Sequence, residues 1–348
     1  MSINFPNAPA QGQTFSPPGG YQYIYLDGVW RVVEASQNLT ALPRNRVVNP
    51  CFQISQEFGT TVVGNTQYPA DQWSCAATIP GASSTRSVGG SGGTLNIYTG
   101  TAKPALTGDD YMAVSQAIEG IRVADFLWGS AAAKPIVVSF EAYGTLAGTY
   151  SFALRNGAAD RSYVATFPLA ASVWTQVTIP IAGDTTGTWP TTTARGMDIW
   201  FTGALSGSSG LVGALGWNAG NKIGAAGTFN AAAVINSPLY IRNVGLYLDP
   251  LNTRTPPRFE MPDEADEYVA CCRYYERFPA TAVTVPSTSY APHAYKARKR
   301  IDPALAIVAG SALGAVWTGI AWGGDWGARQ TGPGSGAADQ LIAANSRM

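Results

Sequence analysis

From residue 46 to about residue 250 the chain is a succession of short runs in which apolar and polar residues alternate. Among them are "KPIVVSFEAYG", "GTYSFALRN", "RSYVATFPL", "WTQVTIPI", "GMDIWFTGAL" and "LYIRNVGLYL". A period of two places every second side chain on one face of an extended strand, and no helix can gather such a pattern on one side. Gly, Asn, Asp and Thr turns separate the runs at the spacing of a sandwich. The stretch therefore predicts a jelly-roll type β-sandwich of about 200 residues. One segment breaks the rhythm: "SQAIEGIRVADFLWG", Ser115 to Gly129, whose Glu119–Leu127 part reads as a short helical or looped insertion.

Shorter segments flank the sandwich, which is assigned to residues 45–260. Residues 1–44 begin with Pro- and Gly-rich punctuation and then give "YQYIYL", Asp27-Gly28 and "VWRVV". Two aromatic, β-branched runs around Asp-Gly predict a hairpin. So short a segment is not expected to enclose a core, which makes it a docking element that packs on something else. In residues 261–348, Pro262 and Asp263 open a helix with acids in its first turn. Tyr268, Cys271, Cys272 and Tyr275 follow at three- and four-residue spacing, and the helix is predicted over 263–277. The remaining runs read as a smaller C-terminal β domain. The expected class is thus all-β: a sandwich with an N-terminal docking hairpin, one connecting helix and a second β domain.

The charge pattern excludes several functions. Lys and Arg number 22, Asp and Glu number 22, and together they make 13% of the 348 residues. A protein that tracks phosphates needs a basic excess, so nucleic acid is not an expected partner. No run has the length of a membrane span, and membrane insertion is not expected. The N-terminus "MSINFPNAPAQGQ" has neither the charged nor the apolar region of a secretory signal, which points to synthesis in the cytoplasm. Of the four cysteines, Cys271 and Cys272 are adjacent and lack zinc-ligand spacing, while Cys51 and Cys75 could form a disulfide. His293 is the sole histidine, which leaves His-based triads and metal sites without their parts. A nucleophile elbow, a phosphate loop, a dinucleotide fingerprint and an EF-hand loop are also missing. No cofactor, metal or catalytic residue is assigned. Asp109, Asp110, Glu119, Asp125, Asp184 and Asp198 are the carboxylates a glycosidase could use, but nothing in the sequence pairs them.

Aromatic and small polar residues are plentiful, with 10 Trp and 16 Tyr. An aromatic ring covers the C–H face of a sugar while Asn, Asp, Arg and Thr meet its hydroxyls. Trp217 and Asn218 in "ALGWNAG", and Trp322, Asp325 and Trp326 in "AWGGDWGAR", lie among Gly, Asn and Asp with little apolar sequence to bury them. These five are the candidate carbohydrate-binding residues; the alternative is that such tryptophans plug sandwich ends. In "DTTGTWP", Asp184 and the threonines suit a tight turn with Trp189 folded beneath it. Arg161 of "DRSY" is placed to pair with Asp184 or to stack on the ring. Trp189 and Trp174 flank the strand "WTQVTIPI" and read as scaffold.

Ordered motifs from Asn45 to Phe278 also resemble a family of bacteriophage tail fibre and receptor-binding proteins. They are "NRVVNPCFQISQ", "YPADQW", "QAIEGIRVADFLWGSAAAKPIVVSFEAYGTLAGTYSFALRNGAADRSYVATF", "TIPIAGDTTGTWP" and "ADEYVACCRYYERF". The start of the chain, with "FPNAP", "GQTF" and "DGVW", resembles an attachment motif near the beginning of phage fibre proteins. The resemblance implies a carbohydrate-binding-module-like jelly roll, a homotrimer, and attachment to host cell-surface polysaccharide. It also implies a place in a virion, a gene transfer agent or another phage-like particle, joined to tail or baseplate proteins through the N-terminal segment. It supplies no catalytic residues. The rival readings are a capsule-degrading or deacetylating enzyme and a purely structural fibre or spike adaptor.

Overall fold

The alternating runs become two antiparallel sheets stacked face to face. In the computed structural model the described residues are 5–11, 13–15, 23–26, 28–32, 44–89, 92–280, 283–285, 288–290, 293–301, 303–307, 319–321, 327–332 and 340–348. The chain divides into two compact units, residues 1–44 and 45–348.

The first unit is a three-stranded sheet of β1 (Thr14–Phe15), β2 (Tyr23–Leu26) and β3 (Val29–Val32). Strands β2 and β3 form the expected hairpin, pairing Leu26 with Val29, and Gly28 takes φ +83°, the left-handed region a two-residue turn needs. Four of its rings gather on one another. Phe5 stacks on Trp30 at 5.2 Å and meets Tyr23 and Phe15 edge-on at 4.9 and 5.7 Å. Each ring buries so much surface that a few of them nucleate even a short chain.

In the second unit the strands are β4 (Trp73–Ala77), β5 (Ala82–Ser87), β6 (Thr94–Thr99) and β7 (Tyr111–Glu119). A single helical turn, α1 (Gly120–Val123), fills the predicted interruption. Then come β8 (Ile136–Gly144), β9 (Gly148–Asn156), β10 (Arg161–Leu169), β11 (Thr175–Ile181) and β12 (Arg195–Leu205). Short strands β13 (Val212–Gly213), β14 (Gly216–Ala219) and β15 (Gly224–Ala225) precede β16 (Leu239–Leu248). One sheet has the order β14-β10-β9-β12-β7-β4 and the other β11-β8-β16-β6-β5. The chain passes repeatedly from one sheet to the other, as a jelly roll does. Every second residue points between the sheets: Ile136, Val138 and Phe140 of β8 face Phe152, Leu154, Ile199 and Phe201. Phe140 and Phe201 meet edge-on at 4.8 Å in the centre of this core.

Beyond the sandwich, helix α2 spans Glu264–Cys272, with Asp263 accepting from the Ala265 and Asp266 N–H groups as its N-cap. It ends five residues earlier than predicted. Tyr275–Ala280 form strand β17 instead, because the run pairs with a later strand from Tyr275 opposite Asn345 to Ala280 opposite Gln340. The later strands are β18 (Val283–Val285), β19 (Thr288–Tyr290), β20 (His293–Ala294), β21 (Ala304–Ile307), β22 (Gly319–Ala321), β23 (Gly327–Gly332) and β24 (Gln340–Asn345). A three-stranded sheet runs β17-β24-β21. Lys299 and Glu276, both fully buried, pair at 2.8 Å beneath it.

All four cysteines are free and buried, so Cys51 and Cys75 are not bonded. Burial pushes the Cys75 thiol up to about 12, and burial with the nearby Glu267 does the same for Cys51. No helix among the described residues is long and apolar enough to cross a membrane.

Candidate functional site

The outer faces of the two sheets differ. Over the six-stranded sheet, Ala113, Ala153, Val164, Trp200 and Leu205 are buried with Ile223 and Ala225 of the segment that follows β12. Thr202 donates to the Ile223 carbonyl at 2.7 Å, tying that segment down across the sheet. This part of the face is covered, while Ser74, Ser115, Ala117 and Arg195 farther along it line a small pocket with Tyr68, Gln72 and Met348.

Much of the five-stranded sheet's outer face is open and carries aromatic rings. Tyr143 of β8 lies directly beside Tyr240 of β16, Tyr240 beside Asn96 of β6, and Asn96 beside Thr85 of β5. Trp174, immediately before β11, continues the row: its ring centroid is 5.5 Å from Tyr143 and 6.4 Å from Tyr240. The rings of Tyr143 and Tyr240 meet edge-on at 5.6 Å. Five strands across leave four gaps of about 4.8 Å, so the row is roughly 19 Å long. At one end Thr85, Asn96, Tyr98, Asn236, Pro238 and Tyr240 line an open depression of ≈ 250 Å³. Asn96, itself largely buried, accepts the Thr85 N–H through Oδ1 at 2.9 Å. At the other end Arg242 donates twice to Glu141, at 2.9 and 2.6 Å, and its guanidinium lies 4.1 Å from the Trp174 ring centre. Asn243 completes this cluster by donating to the second Glu141 oxygen at 2.7 Å.

The residues singled out from the sequence fall elsewhere. Arg161 donates to both oxygens of Asp184, at 2.8 and 2.9 Å, and its guanidinium also lies 5.4 Å from the Trp217 ring centre. The Trp189 indole N–H donates to Thr186 O at 3.2 Å and reaches Asp184 at 3.3 Å, beneath the turn. Burial pushes the Asp184 carboxyl up, but its bonds from Arg161 and Thr186 outweigh that and hold it below the usual carboxylate range. Trp217 joins this cluster: it packs edge-on against Trp128 at 5.3 Å, Trp189 at 5.9 Å and Tyr163 at 5.2 Å, and its N–H donates to Ala182 O. Asn218 donates to the Ala214 and Gly216 carbonyls, so its amide shapes its own loop. Trp322, Asp325 and Trp326 lie outside the described residues. Trp174, read as scaffold, stands on the open sheet face, and Tyr98, Tyr143 and Tyr240 were not singled out at all.

The six carboxylates named above are each engaged. Asp109 accepts from Ser209, Asp110 from Lys103, Glu119 from Arg273 and Tyr274, Asp125 from Arg46, Asp184 from Arg161, and Asp198 from Arg155 and Arg195. Among the described residues no group of three His, Cys, Asp or Glu side chains is arranged to hold a metal ion.

No protein-family model matches the chain, and no curated protein sequence matches it. Among solved structures it is similar to the family 11 carbohydrate-binding module of a cellulosomal cellulase from Clostridium thermocellum. The identity is 14%, over 56% of this chain and 97% of that one, with a TM-score of 0.29. It is also similar to the enzymatically active domain of tailspike protein 4 of bacteriophage CBA120, at 12% identity over 59% of this chain, TM-score 0.33. An arabinose-bound α-L-arabinofuranosidase matches at 10% identity over 67% of this chain, TM-score 0.35. The match spans 21% of the tailspike domain and 30% of the arabinofuranosidase, less than a third of either. At scores of this size the likenesses carry nothing about a site or a ligand.

Proposed function

We propose that the protein binds carbohydrate along the open face of the five-stranded sheet, as a non-enzymatic receptor-binding protein of a phage tail fibre or phage-like particle. The observation that carries the reading is the row Trp174–Tyr143–Tyr240, continued by Asn96 and Thr85, on the part of the five-stranded sheet's outer face that stays open. Rings stack on sugar C–H faces, amides and hydroxyls meet the sugar oxygens, and the row is long enough for several sugar units. The engaged carboxylates favour binding over hydrolysis, since an acid held by an arginine, as Glu119, Asp125, Asp184 and Asp198 are, is poorly placed to move protons. The particle context rests on the sequence motifs alone; there the N-terminal unit is the attachment element and the host glycan the partner. Copies of the protein, three per fibre in this reading, raise a weak single-site affinity through avidity.

A glycan array and a host-cell binding assay test the reading. Tyr240→Ala and Trp174→Ala should each weaken binding about tenfold, roughly 1.4 kcal/mol, with the melting temperature nearly unchanged. Trp217→Ala should lower the melting temperature instead. Glycan binding that survives Tyr240→Ala and Trp174→Ala but is lost in soluble, folded Trp217→Ala would move the site to the tryptophan cluster.

A further inference from the structure

Charge on the open face identifies the kind of glycan it accepts. Outward positions on the five strands are Gln176, Thr178 and Pro180 on β11; Val137, Ser139, Glu141 and Tyr143 on β8; and Tyr240, Arg242 and Tyr247 on β16. Those on β6 and β5 are Thr94, Asn96, Tyr98, Ser83, Thr85 and Ser87. Only Glu141 and Arg242 among these are charged. They bond to each other, with side chains 23% and 31% exposed, and Asn243 holds the carboxylate's other oxygen. The depression beside Tyr98 and Tyr240 is lined by hydroxyl, amide and apolar groups without a charge.

From this pairing we infer that the site, if the reading above holds, selects an uncharged polysaccharide and rejects polymers of acidic sugars. Among the described outward residues of these five strands a carboxylate or sulfate would find no free cation. Arg242, the one cation among them, is already neutralised by Glu141 and held against Trp174. Binding to a neutral polymer is also insensitive to salt, since it involves no ion pair between protein and ligand.

Affinity electrophoresis of the full chain tests this, in gels containing hydroxyethylcellulose, dextran, mannan or polygalacturonate, at low and at high salt. Retardation is expected in at least one neutral gel, equal at both salts and lost in Tyr240→Ala, with none in polygalacturonate. Glu141→Gln removes the carboxylate that neutralises Arg242, and the folded variant should gain affinity for polygalacturonate by about tenfold at low salt. Polygalacturonate retarding the unmodified protein, with that retardation lost in Tyr240→Ala, overturns the inference and leaves the binding face standing. Failure of the folded Glu141→Gln variant to gain acidic binding also overturns it. Retardation by no polymer, or retardation untouched by Tyr240→Ala, overturns the binding face and the inference with it.

Discussion

Asp184 shows how one carboxylate organises a turn, a strand and a tryptophan together. Its side chain is 2% exposed and accepts from Arg161, Thr186 and the Trp189 indole, so removing its charge weakens the tie between the turn and strand β10. Asp184→Asn should cost about 2 kcal/mol at pH 7, less than a fully buried pair because Arg161 is 24% exposed. The sign of the pH dependence follows from the lowered carboxyl pKa. Below the unfolded value of about 3.9 the unfolded chain takes up a proton before the folded one does. The stabilisation is therefore complete above that pH and is lost as pH falls through the folded value. Urea unfolding at pH 7 and pH 3 should show the gap between Asp184→Asn and the unmodified protein closing at the lower pH. A gap that stays constant would mean that Arg161 is held by something other than the charge.

Strands and helices were legible to different degrees, and the differences have physical causes. The strands of the sandwich could be read because half-buried strands must alternate. Helix α2 is shorter than the spacing predicts because Tyr275–Ala280 are drawn into a sheet by β24, a distant partner that local pattern does not reveal. The open aromatic face is not legible in the sequence for a related reason. Alternation separates two faces but does not show which outer face is later covered. A signal was present: Tyr240 sits between the core residues Leu239 and Ile241, Tyr143 follows Ala142, and Tyr98 follows Ile97. Large rings thus occupy the outward phase of three neighbouring strands, where polar residues are the norm. Strand β17 offers its own test, because Glu276 there is buried with Lys299. Lys299→Met should cost about 3 kcal/mol by leaving a carboxylate without its closest cation, and Lys299→Met with Glu276→Leu should recover part of that in thermal melts. A double variant no more stable than the single one would mean that the remaining bonds of Glu276 matter more than the pair.

At the scale of the whole molecule, one sheet of the sandwich keeps part of its outer face open while most of the other's is covered, so in the proposed function a copy would present a single strip to a polymer. The four free, buried thiols have a different consequence, which concerns the protein's history. While folded, each thiol is shielded, and burial keeps it protonated, so the molecule can pass from a reducing to an oxidising surrounding without chemical change. Unfolding removes that protection from all four at once, and the unfolded chain can then lock itself into bridges that the native fold has no place for. Heating in air past the transition should abolish recovery of the native signal on cooling, whereas the same scan with a reductant should restore it. Equal recovery in both scans would show that the exposed thiols do not pair on that timescale. If the expected result holds, survival outside a cell depends on never unfolding there: the fold carries no covalent record of its correct form and has one chance to keep it.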